Sequence, residues 1–150
     1  MAEARGYQKP IPVPDEASLP FFQGACEHRL MIQRCAVCGT AHWPVRLRCS
    51  VCFRTDIAWV EASGKGTLYT FSLVHQVVHP GFASEVPYTL AEVDLQEGLR
   101  IISTVIECPP ARLHIGMPLD VTFIDINDEI SLPAFRPARE PDILSRGESA

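Results

Sequence analysis

The fold of this chain is decided by two cysteine pairs, Cys35-Ala-Val-Cys38 and Cys49-Ser-Val-Cys52, in the stretch from Gln33 to Arg54. Two residues between paired cysteines allow one tight backbone turn, here called a knuckle, to direct both sulfur atoms to one point. Two knuckles supply four thiolates, the tetrahedral ligand set that zinc prefers in structural sites. The spacing therefore predicts that Cys35, Cys38, Cys49 and Cys52 bind one zinc ion structurally.

Other uses of the four cysteines fit the pattern less well. Iron in place of zinc is an alternative, since tetrahedral all-sulfur geometry suits both metals, although the usual spacings of iron–sulfur proteins differ from this one. A redox Cys-x2-Cys pair would need no duplicate and would lie beside a strand–helix–strand pattern, which is missing here. His42 is the rival ligand nearby, and we expect it to be a surface or packing residue. Gly39 follows the first pair but Phe53 follows the second, so we expect the two knuckles to differ.

The bulk composition describes an acidic protein large enough for a real core. The chain has 150 residues, with 13 Lys and Arg against 18 Asp and Glu and a formal net charge of −5. This balance argues against an electrostatic grip on nucleic acid over the whole surface. We expect neither a signal peptide nor a membrane span, because no charged and apolar leader opens the chain and no apolar run approaches about 18 residues. A reducing, cytoplasmic setting is predicted.

The sequence of the first part of the chain predicts an arm, a helix and a small sheet that is stabilised by the bound metal. Residues 1–14 carry three prolines and are expected to form a flexible arm. A helix is expected from Asp15 to Arg29, capped by Ser18 and weakened by Gly24, so that docking rather than propensity should hold it. Short strands are predicted on either side of the knuckles, at 30–33 and 57–60. Residues 15–62 would thus form a helix and a ribbon domain that metal binding stabilises.

The rest of the chain predicts a barrel of short strands. A turn at 63–66 begins it, and an expected tail at 139–150 follows it. The predicted strands are 67–78, with Tyr69, Phe71 and Leu73 on one face, then 88–95, 99–108, a fourth containing 119–123, and 130–135. Five strands with a longer break before the fourth favour a small Greek-key barrel of the OB type over residues 63–138. A β-sandwich is the alternative.

Several stretches resemble the DUF35 family of zinc-ribbon/OB-fold proteins. They include Phe21-Phe-Gln-Gly24, Arg34-Cys-Ala-Val-Cys-Gly39, His79-Pro-Gly-Phe82 with Val86-Pro-Tyr88, and Ser131-Leu-Pro-Ala-Phe135. The resemblance runs from about residue 19 to about residue 138. It implies a mainly β fold with an N-terminal helix, a rubredoxin-like zinc ribbon and a C-terminal five-stranded OB-fold barrel.

The resemblance also implies a function. Family members are small companions of thiolase-like enzymes, either as separate subunits or fused to hydratases, and their partners make or break carbon–carbon bonds on acyl-CoA thioesters. The resemblance implies that the family member binds or channels the CoA moiety and holds the partner in working form. A non-catalytic companion subunit of an aldolase or acyltransferase, in a hetero-oligomer, is therefore expected here, with lipid or steroid metabolism as the setting.

The residues themselves offer little catalysis. Cys26 and Cys108 fall on apolar faces and are expected to be inert packing residues, and a closed four-cysteine site leaves no coordination position for water. The alternative to the companion is a single-stranded nucleic-acid-binding ribbon and barrel protein. Such binders interleave basic and aromatic residues along the barrel face, whereas the strands at 67–78 and 88–95 contain no Lys or Arg.

Two further sets of candidate residues follow from side-chain chemistry. Arg46, Arg48 and Arg54 form a basic cluster in the ribbon that would suit the phosphates of CoA, or would simply be a solvated loop. Partner contacts are expected from apolar residues of the helix and of the long loop before residue 88, namely Leu19, Phe21, Phe22 and Phe82. Adjacent helix residues point about 100° apart, so one of Phe21 and Phe22 should pack inward and the other face outward. Phe82 would otherwise plug one end of the barrel.

Overall fold

Two antiparallel sheets and one helix make up residues 6–139, the part of the chain that the computed structural model describes. The helix is α1 (Leu19–Cys26). The first sheet consists of β1 (Met31–Cys35), β2 (Ala41–His42) and β3 (Ile57–Glu61). The second consists of β4 (Lys65–Val74), β5 (Tyr88–Leu95), β6 (Arg100–Ser103), β7 (Pro118–Asp125) and β8 (Ser131–Pro137). The predicted fold class is confirmed: the second sheet is a five-stranded half-barrel of the OB type, not a β-sandwich. The residues 1–5 of the predicted arm and 140–150 of the predicted tail lie outside the described residues.

Helix α1 is shorter at both ends than the sequence predicted. Ser18 does occupy the N-cap position, but its side chain bonds to Asp15 rather than to the helix. The amide of Ser18 also donates to the Asp15 carboxylate at 2.8 Å. Because of this turn, the helix begins only at Leu19. Beyond its C-terminal end, His28 has a left-handed backbone conformation (φ 56°). None of the helices in residues 6–139 is long and apolar enough to span a membrane.

Gly24 allows α1 to lie directly on the first sheet. A Cβ atom at this position would be 2.2 Å from Cγ of Met31 in β1. Gly24 and Ala25 are the buried residues of the helix, and the helix packs against β1 and β8. The helix is therefore held by close docking, as its weak propensity predicted.

The first sheet has the order β2-β1-β3, with both pairs antiparallel. Its strand β2 was not predicted, because two residues are too few to show an alternating pattern. The pairing sets Gln33 opposite both His42 in β2 and Trp59 in β3. It thereby fixes the positions of both knuckles around the end of β1.

The half-barrel has the order β6-β5-β4-β7-β8, and every neighbouring pair is antiparallel. It closes where the chain after β6 meets β8 in parallel, through a bridge between Val105 and Phe135. The amide of Ile106 donates to Phe135 O at 2.8 Å, and the amide of Phe135 donates to Thr104 O at 2.9 Å. We call this junction the seam. The third barrel strand therefore ends at Ser103 rather than at residue 108, since the chain leaves β5 to reach β8.

A β-bulge in β4 overturns one sequence expectation. The register with β5 shifts between Leu68 and Thr70. Leu68 before the bulge is 1% exposed, and Phe71 and Leu73 after it pack on the same core, whereas Tyr69 is 46% exposed. Tyr69 thus does not share a face with Phe71 and Leu73, because the extra residue reverses the alternation. The strand also ends at Val74, before the predicted 78.

One hydrophobic core joins the ribbon to the half-barrel. Leu30 just before β1 and Ile32 within β1 belong to the same buried cluster as Leu68, Val93 and Phe135 of the barrel. Phe135 is fully buried at the seam, and burial of a side chain of this kind contributes about 1.5–3 kcal/mol. The shared core positions the metal-binding knuckles relative to the barrel.

Candidate functional site

The four knuckle cysteines converge on one point. Their sulfur atoms all lie within 4.8 Å of one another, with Cys35 to Cys52 and Cys38 to Cys49 both at 3.5 Å. A zinc–sulfur bond of about 2.3 Å in a tetrahedron requires sulfur atoms roughly 3.8 Å apart. The cluster therefore fits a single metal ion.

The two knuckles have the same backbone geometry, contrary to the expectation that they differ. The Gly39 amide donates to Cys35 O at 2.9 Å, and the Phe53 amide donates to Cys49 O at 3.1 Å. Both Gly39 (φ 73°) and Phe53 (φ 60°) are left-handed. Phe53 adopts a conformation that disfavours residues with a Cβ, and its side chain is 66% exposed.

His42 lies against the cluster as a packing residue. It is 4% exposed, and its Nε2 is 3.2 Å from Sγ of Cys49. The pairing of β2 with β1 places it there. A ring nitrogen at this distance can hold the orientation of a ligand sulfur, as residues around metal ligands do.

Hydrogen bonds and burial give the thiols of the cluster different pKa values. The hydroxyl and amide of Thr40 lower the pKa of Cys38 to about 6. The backbone amide of Cys52 lowers the pKa of Cys49. The Arg54 amide lowers the pKa of Cys52, but burial and the neighbouring thiols together raise it to about 12. The thiolate is the form that binds a metal, so the knuckle amides and Thr40 prepare part of the ligand set.

Three of the four predicted partner residues line one apolar groove. Phe21, Phe22 and Phe82 border a cavity of about 670 Å³ between α1, the 3₁₀ turn at Pro80–Phe82 and the barrel. Residues 103–106, which include one edge of the seam, and residues 132–133 of β8 also line it. Leu19 is 43% exposed but does not line this groove. The structure thus brings the three aromatic residues together and separates Leu19 from them.

The adjacent phenylalanines have different surroundings. Phe21 packs on the core, with its ring 4.9 Å from that of Trp43. Phe22 makes an edge contact with Phe21 at 5.2 Å and is not part of the core cluster. Phe82 likewise lies outside the core cluster, with its ring 5.2 Å from that of Tyr88. Phe22 and Phe82 are therefore the groove aromatics that the core does not use.

The chain before α1 packs on one rim of the groove. Lys9 Nζ is 2.8 Å from Glu85 Oε2 and 5.1 Å from the ring centroids of Tyr7 and Phe82. Gly81 permits this contact, because a Cβ there would lie 2.5 Å from Gln8 O. Lys9 thus links the start of the described chain to the loop that carries Phe82.

The predicted basic cluster of the ribbon is partly engaged with protein groups. The Arg48 guanidinium donates to Phe53 O at 2.9 Å. Arg46 lines a shallow cavity that also contains Asp15 and Glu16, and their carboxylates oppose an anion there. Arg54 is exposed. That these three arginines bind CoA stays a prediction.

The sequence missed a second group of arginines. Arg112, Arg136 and Arg139 line a cavity of about 300 Å³ at one end of the barrel. They are separated along the chain by β7 and most of β8, so no local run of charge announces them. Of the spare cysteines, Cys26 donates to Glu129 O at 3.0 Å, and Cys108 lines both this cavity and the groove.

A four-cysteine ribbon joined to an OB half-barrel defines the class of zinc-ribbon/OB-fold proteins. Residues 22–58 match the ChsH2 rubredoxin-like zinc ribbon domain, and residues 59–123 match the ChsH2 C-terminal OB-fold domain. A DUF35 domain-containing scaffold protein of Methanocaldococcus jannaschii is 38% identical over 97 residues, which cover 64% of this chain and 68% of that protein. The chain belongs to the DUF35 family, and the resemblance read from the sequence is confirmed.

The chain is also similar to parts of two proteins that are named as enzymes. A chain of the solved Ltp2-ChsH2(DUF35) aldolase is similar with a TM-score of 0.76 and 36% identity, covering 85% of this chain and 98% of that one. A probable enoyl-CoA hydratase alpha subunit of Thermomonospora curvata is 37% identical over 130 residues, 87% of this chain. The chain spans only 40% of the length of that hydratase subunit.

Proposed function

We propose that this chain is a non-catalytic companion subunit of a thiolase-like aldolase or acyltransferase that acts on acyl-CoA thioesters. The observation that carries the proposal is the likeness, over nearly its whole length, to a chain of the Ltp2-ChsH2(DUF35) aldolase. The similarity to a hydratase subunit named for a CoA thioester supports the same substrate class. In this role the chain supports CoA binding and the stability of the complex, while the partner carries the chemistry.

We infer further that the metal is one structural zinc ion. Cys35, Cys38, Cys49 and Cys52 supply a complete tetrahedral set, so no position is left for a substrate or a reactive water. When bound, zinc contributes folding free energy to a ribbon whose own core is small. Iron is the competing metal for a four-sulfur site, and metal analysis of the purified protein distinguishes the two.

The apolar groove is the surface we assign to the partner. Phe22 and Phe82 both border it and neither belongs to the core cluster. Buried aromatic anchors dominate the energetics of protein interfaces, at about 2 kcal/mol or more each. The position of the groove across helix, loop and barrel would let one partner surface contact all three.

Purification from the native host tests the assembly. The chain should co-purify with a thiolase-like protein, identified by its mass, in a defined stoichiometry. Acyl-CoA cleavage and condensation should then be measured with the chain alone, the partner alone and the two together. We expect turnover only when the partner is present, and higher turnover or a longer-lived enzyme when both are present. Turnover by the chain alone would overturn the companion role.

The same material tests the competing function. A nucleic-acid binder would bind single-stranded DNA with an affinity that falls steeply as salt is raised. We expect no such binding at physiological salt. Salt-sensitive binding together with no protein partner would favour the nucleic-acid function instead.

A further inference from the structure

The described chain begins with an extended segment that lies along the apolar groove. Tyr7 and Lys9 are partly buried, whereas Gln8 and Pro10 are exposed. Side chains alternate in this way when an extended chain lies along a surface. Tyr7 and Lys9 also line the groove that we assign to the partner. We call residues 7–9 the strap.

Lys9 connects the strap to the loop at 79–87, which carries Phe82. Its Nζ is 2.8 Å from Glu85 Oε2 and 5.1 Å from the ring centroids of both Tyr7 and Phe82. An ammonium group over a ring face is attracted by the quadrupole of the ring, and the carboxylate attracts the same charge. The Lys9 side chain is only 18% exposed. Its charge is thus shared by three groups, two of which belong to the loop.

The strap also lies against the loop through its backbone. A Cβ at Gly81 would be 2.5 Å from Gln8 O and 2.8 Å from the amide nitrogen of Lys9. Any larger residue at Gly81 would therefore push the strap away from the turn at Pro80–Phe82. This close approach places the Lys9 side chain within reach of both Phe82 and Glu85.

The loop has no backbone pairing of its own with either sheet. Among residues 6–139, the backbone hydrogen bonds of 79–87 stay within the loop, such as those from the amides of Glu85 and Val86 to Phe82 O at 2.9 and 3.2 Å. The Phe82 ring is 5.2 Å from that of Tyr88, but it lies outside the core cluster. The position of the Phe82 ring therefore depends on its contacts with Tyr88 and Lys9.

A ring that is fixed before binding favours a tight complex. A mobile side chain must be ordered when a partner binds, and this ordering lowers the affinity. Phe82 is one of the two groove aromatics that the core does not use. A contact that holds its ring in the free chain removes the ordering cost in advance.

We propose that Lys9 is a positioning residue for the partner surface: it holds the loop at 79–87 against the strap and so fixes the Phe82 ring in the groove. The proposal rests on the assignment of the groove to a thiolase-like partner, and it extends that surface to a segment before the helix. Because the Glu85 carboxylate is 47% exposed, salt screens its attraction to Lys9. The hold on the loop should therefore weaken as salt is raised.

Two substitutions test the strap in the zinc-loaded chain without a partner. Lys9→Met removes the charge and keeps a long side chain, whereas Lys9→Arg keeps the charge and can stack on the same rings. Hydrogen exchange at the amides of Glu85 and Val86 should be about tenfold faster in Lys9→Met, because the loop opens more often. Exchange in Lys9→Arg should stay near that of the wild type.

The lysine content of the chain gives a direct signature of the contact. Lys9 and Lys65 are its two lysines, so isotope-labelled lysine yields two sets of side-chain resonances. The ring currents of Tyr7 and Phe82 should displace the ε-methylene resonance of Lys9 from that of Lys65, whose side chain is 67% exposed. Phe82→Leu should move the Lys9 resonance toward that of Lys65, and so should added salt.

Calorimetry with the thiolase-like partner tests the consequence for binding. Lys9→Met should bind the partner about tenfold more weakly, while the melting temperature of the free chain changes little, because one exposed ion pair contributes little to stability. Lys9→Arg should bind like the wild type. Lys65→Met is the matched control, since it removes the ion pair with Asp120 at 3.5 Å, outside the groove.

Each result decides for or against the strap. Unchanged exchange of the loop amides in Lys9→Met would overturn the proposal without any partner. Tighter partner binding by Lys9→Met would overturn it as well, because the strap would then cover the groove and compete with the partner. Faster exchange with unchanged affinity would remove Lys9 from the partner surface. If the loop loosens in Lys9→Met but no thiolase-like protein binds the wild type, the companion function fails and the hold of the strap on the loop stands.

Discussion

Gly39 and Phe53 hold the same place in the two knuckles, each left-handed and each donating its amide to the first cysteine of its pair. The Cβ of Phe53 makes that conformation cost about 1–2 kcal/mol, and an exposed ring recovers little of it. Phe53→Gly should therefore raise the free energy of unfolding of the zinc-loaded chain by about 1 kcal/mol, measured by denaturant titration. Gly39→Ala is the matched control with the opposite change. A Cβ there meets nothing within 4 Å, so any loss of stability in this variant would come from backbone strain alone. A lower stability of Phe53→Gly would show that the ring makes a contact worth more than the strain.

The four-cysteine cluster should bind one equivalent of zinc. Cys38→Ala should abolish stoichiometric zinc binding and unfold the ribbon, because three sulfur ligands no longer close the site and metal binding is coupled to folding. Elemental analysis and circular dichroism measure the two effects. Cys26→Ala is the control, since Cys26 is free, partly buried and bonded to Glu129 O. A well-folded, metal-free wild-type protein would contradict the site.

Replacing Gly24 should destabilise the protein even though alanine is the better helix former. In an exposed helix Gly→Ala gains about 1 kcal/mol. Here the new Cβ would overlap Met31, and overpacking typically costs about 1–3 kcal/mol. Thermal or denaturant unfolding of Gly24→Ala gives the sign. Adding Met31→Ala should relieve the overlap. The double variant should therefore be more stable than the sum of the two single losses of stability predicts. Independent, additive effects would mean that the helix does not lie on β1.

The three phenylalanines that border the groove, Phe21, Phe22 and Phe82, should separate into core residues and partner-contact residues. Phe22→Asp and Phe82→Asp should weaken the complex with the partner by about tenfold or more while changing the melting temperature of the free chain little. Phe21→Asp should instead destabilise the free chain, because Phe21 packs on Trp43 and the core. Pull-down affinity and thermal melting give the two readouts. Ile115→Asp, at an exposed residue away from the groove, is the control. An intact complex with both Phe22→Asp and Phe82→Asp would move the contact surface elsewhere.

Patterns contained within a short stretch could be predicted from the sequence. The spacing of the cysteines located the metal cluster, and alternation located β5 at its observed bounds, Tyr88–Leu95. A local pattern fails where one residue breaks it, as the bulge does beside Tyr69. It also fails at β2, whose two residues are held by pairing with β1 rather than by their own pattern.

Groups assembled from distant parts of the chain could not be found in this way. Arg46, Arg48 and Arg54 were visible because they are close in sequence, yet the Arg48 side chain serves a backbone carbonyl. Arg112 and Arg136 meet only because the strands between them return to the same end of the barrel. Leu19 was grouped with the aromatics by composition, but the groove does not include it.

The wall of the groove includes the weakly bonded seam of the barrel, which can open locally. Two backbone hydrogen bonds, at Ile106 and Phe135, close the barrel there, whereas β7 and β8 pair over seven residues. Local opening should therefore begin at the seam, where the fewest bonds must break. Thr104, Val105 and Ile106 on one edge of the seam line the groove, and so do Leu132 and Pro133, which precede Phe135 in β8. An occupant that contacts both segments would therefore hold them together. Local opening of the seam and binding in the groove are then thermodynamically linked, because the occupant binds the closed form more tightly than the open form. Binding in the groove should therefore slow the exchange of the Ile106 and Phe135 amide hydrogens with solvent.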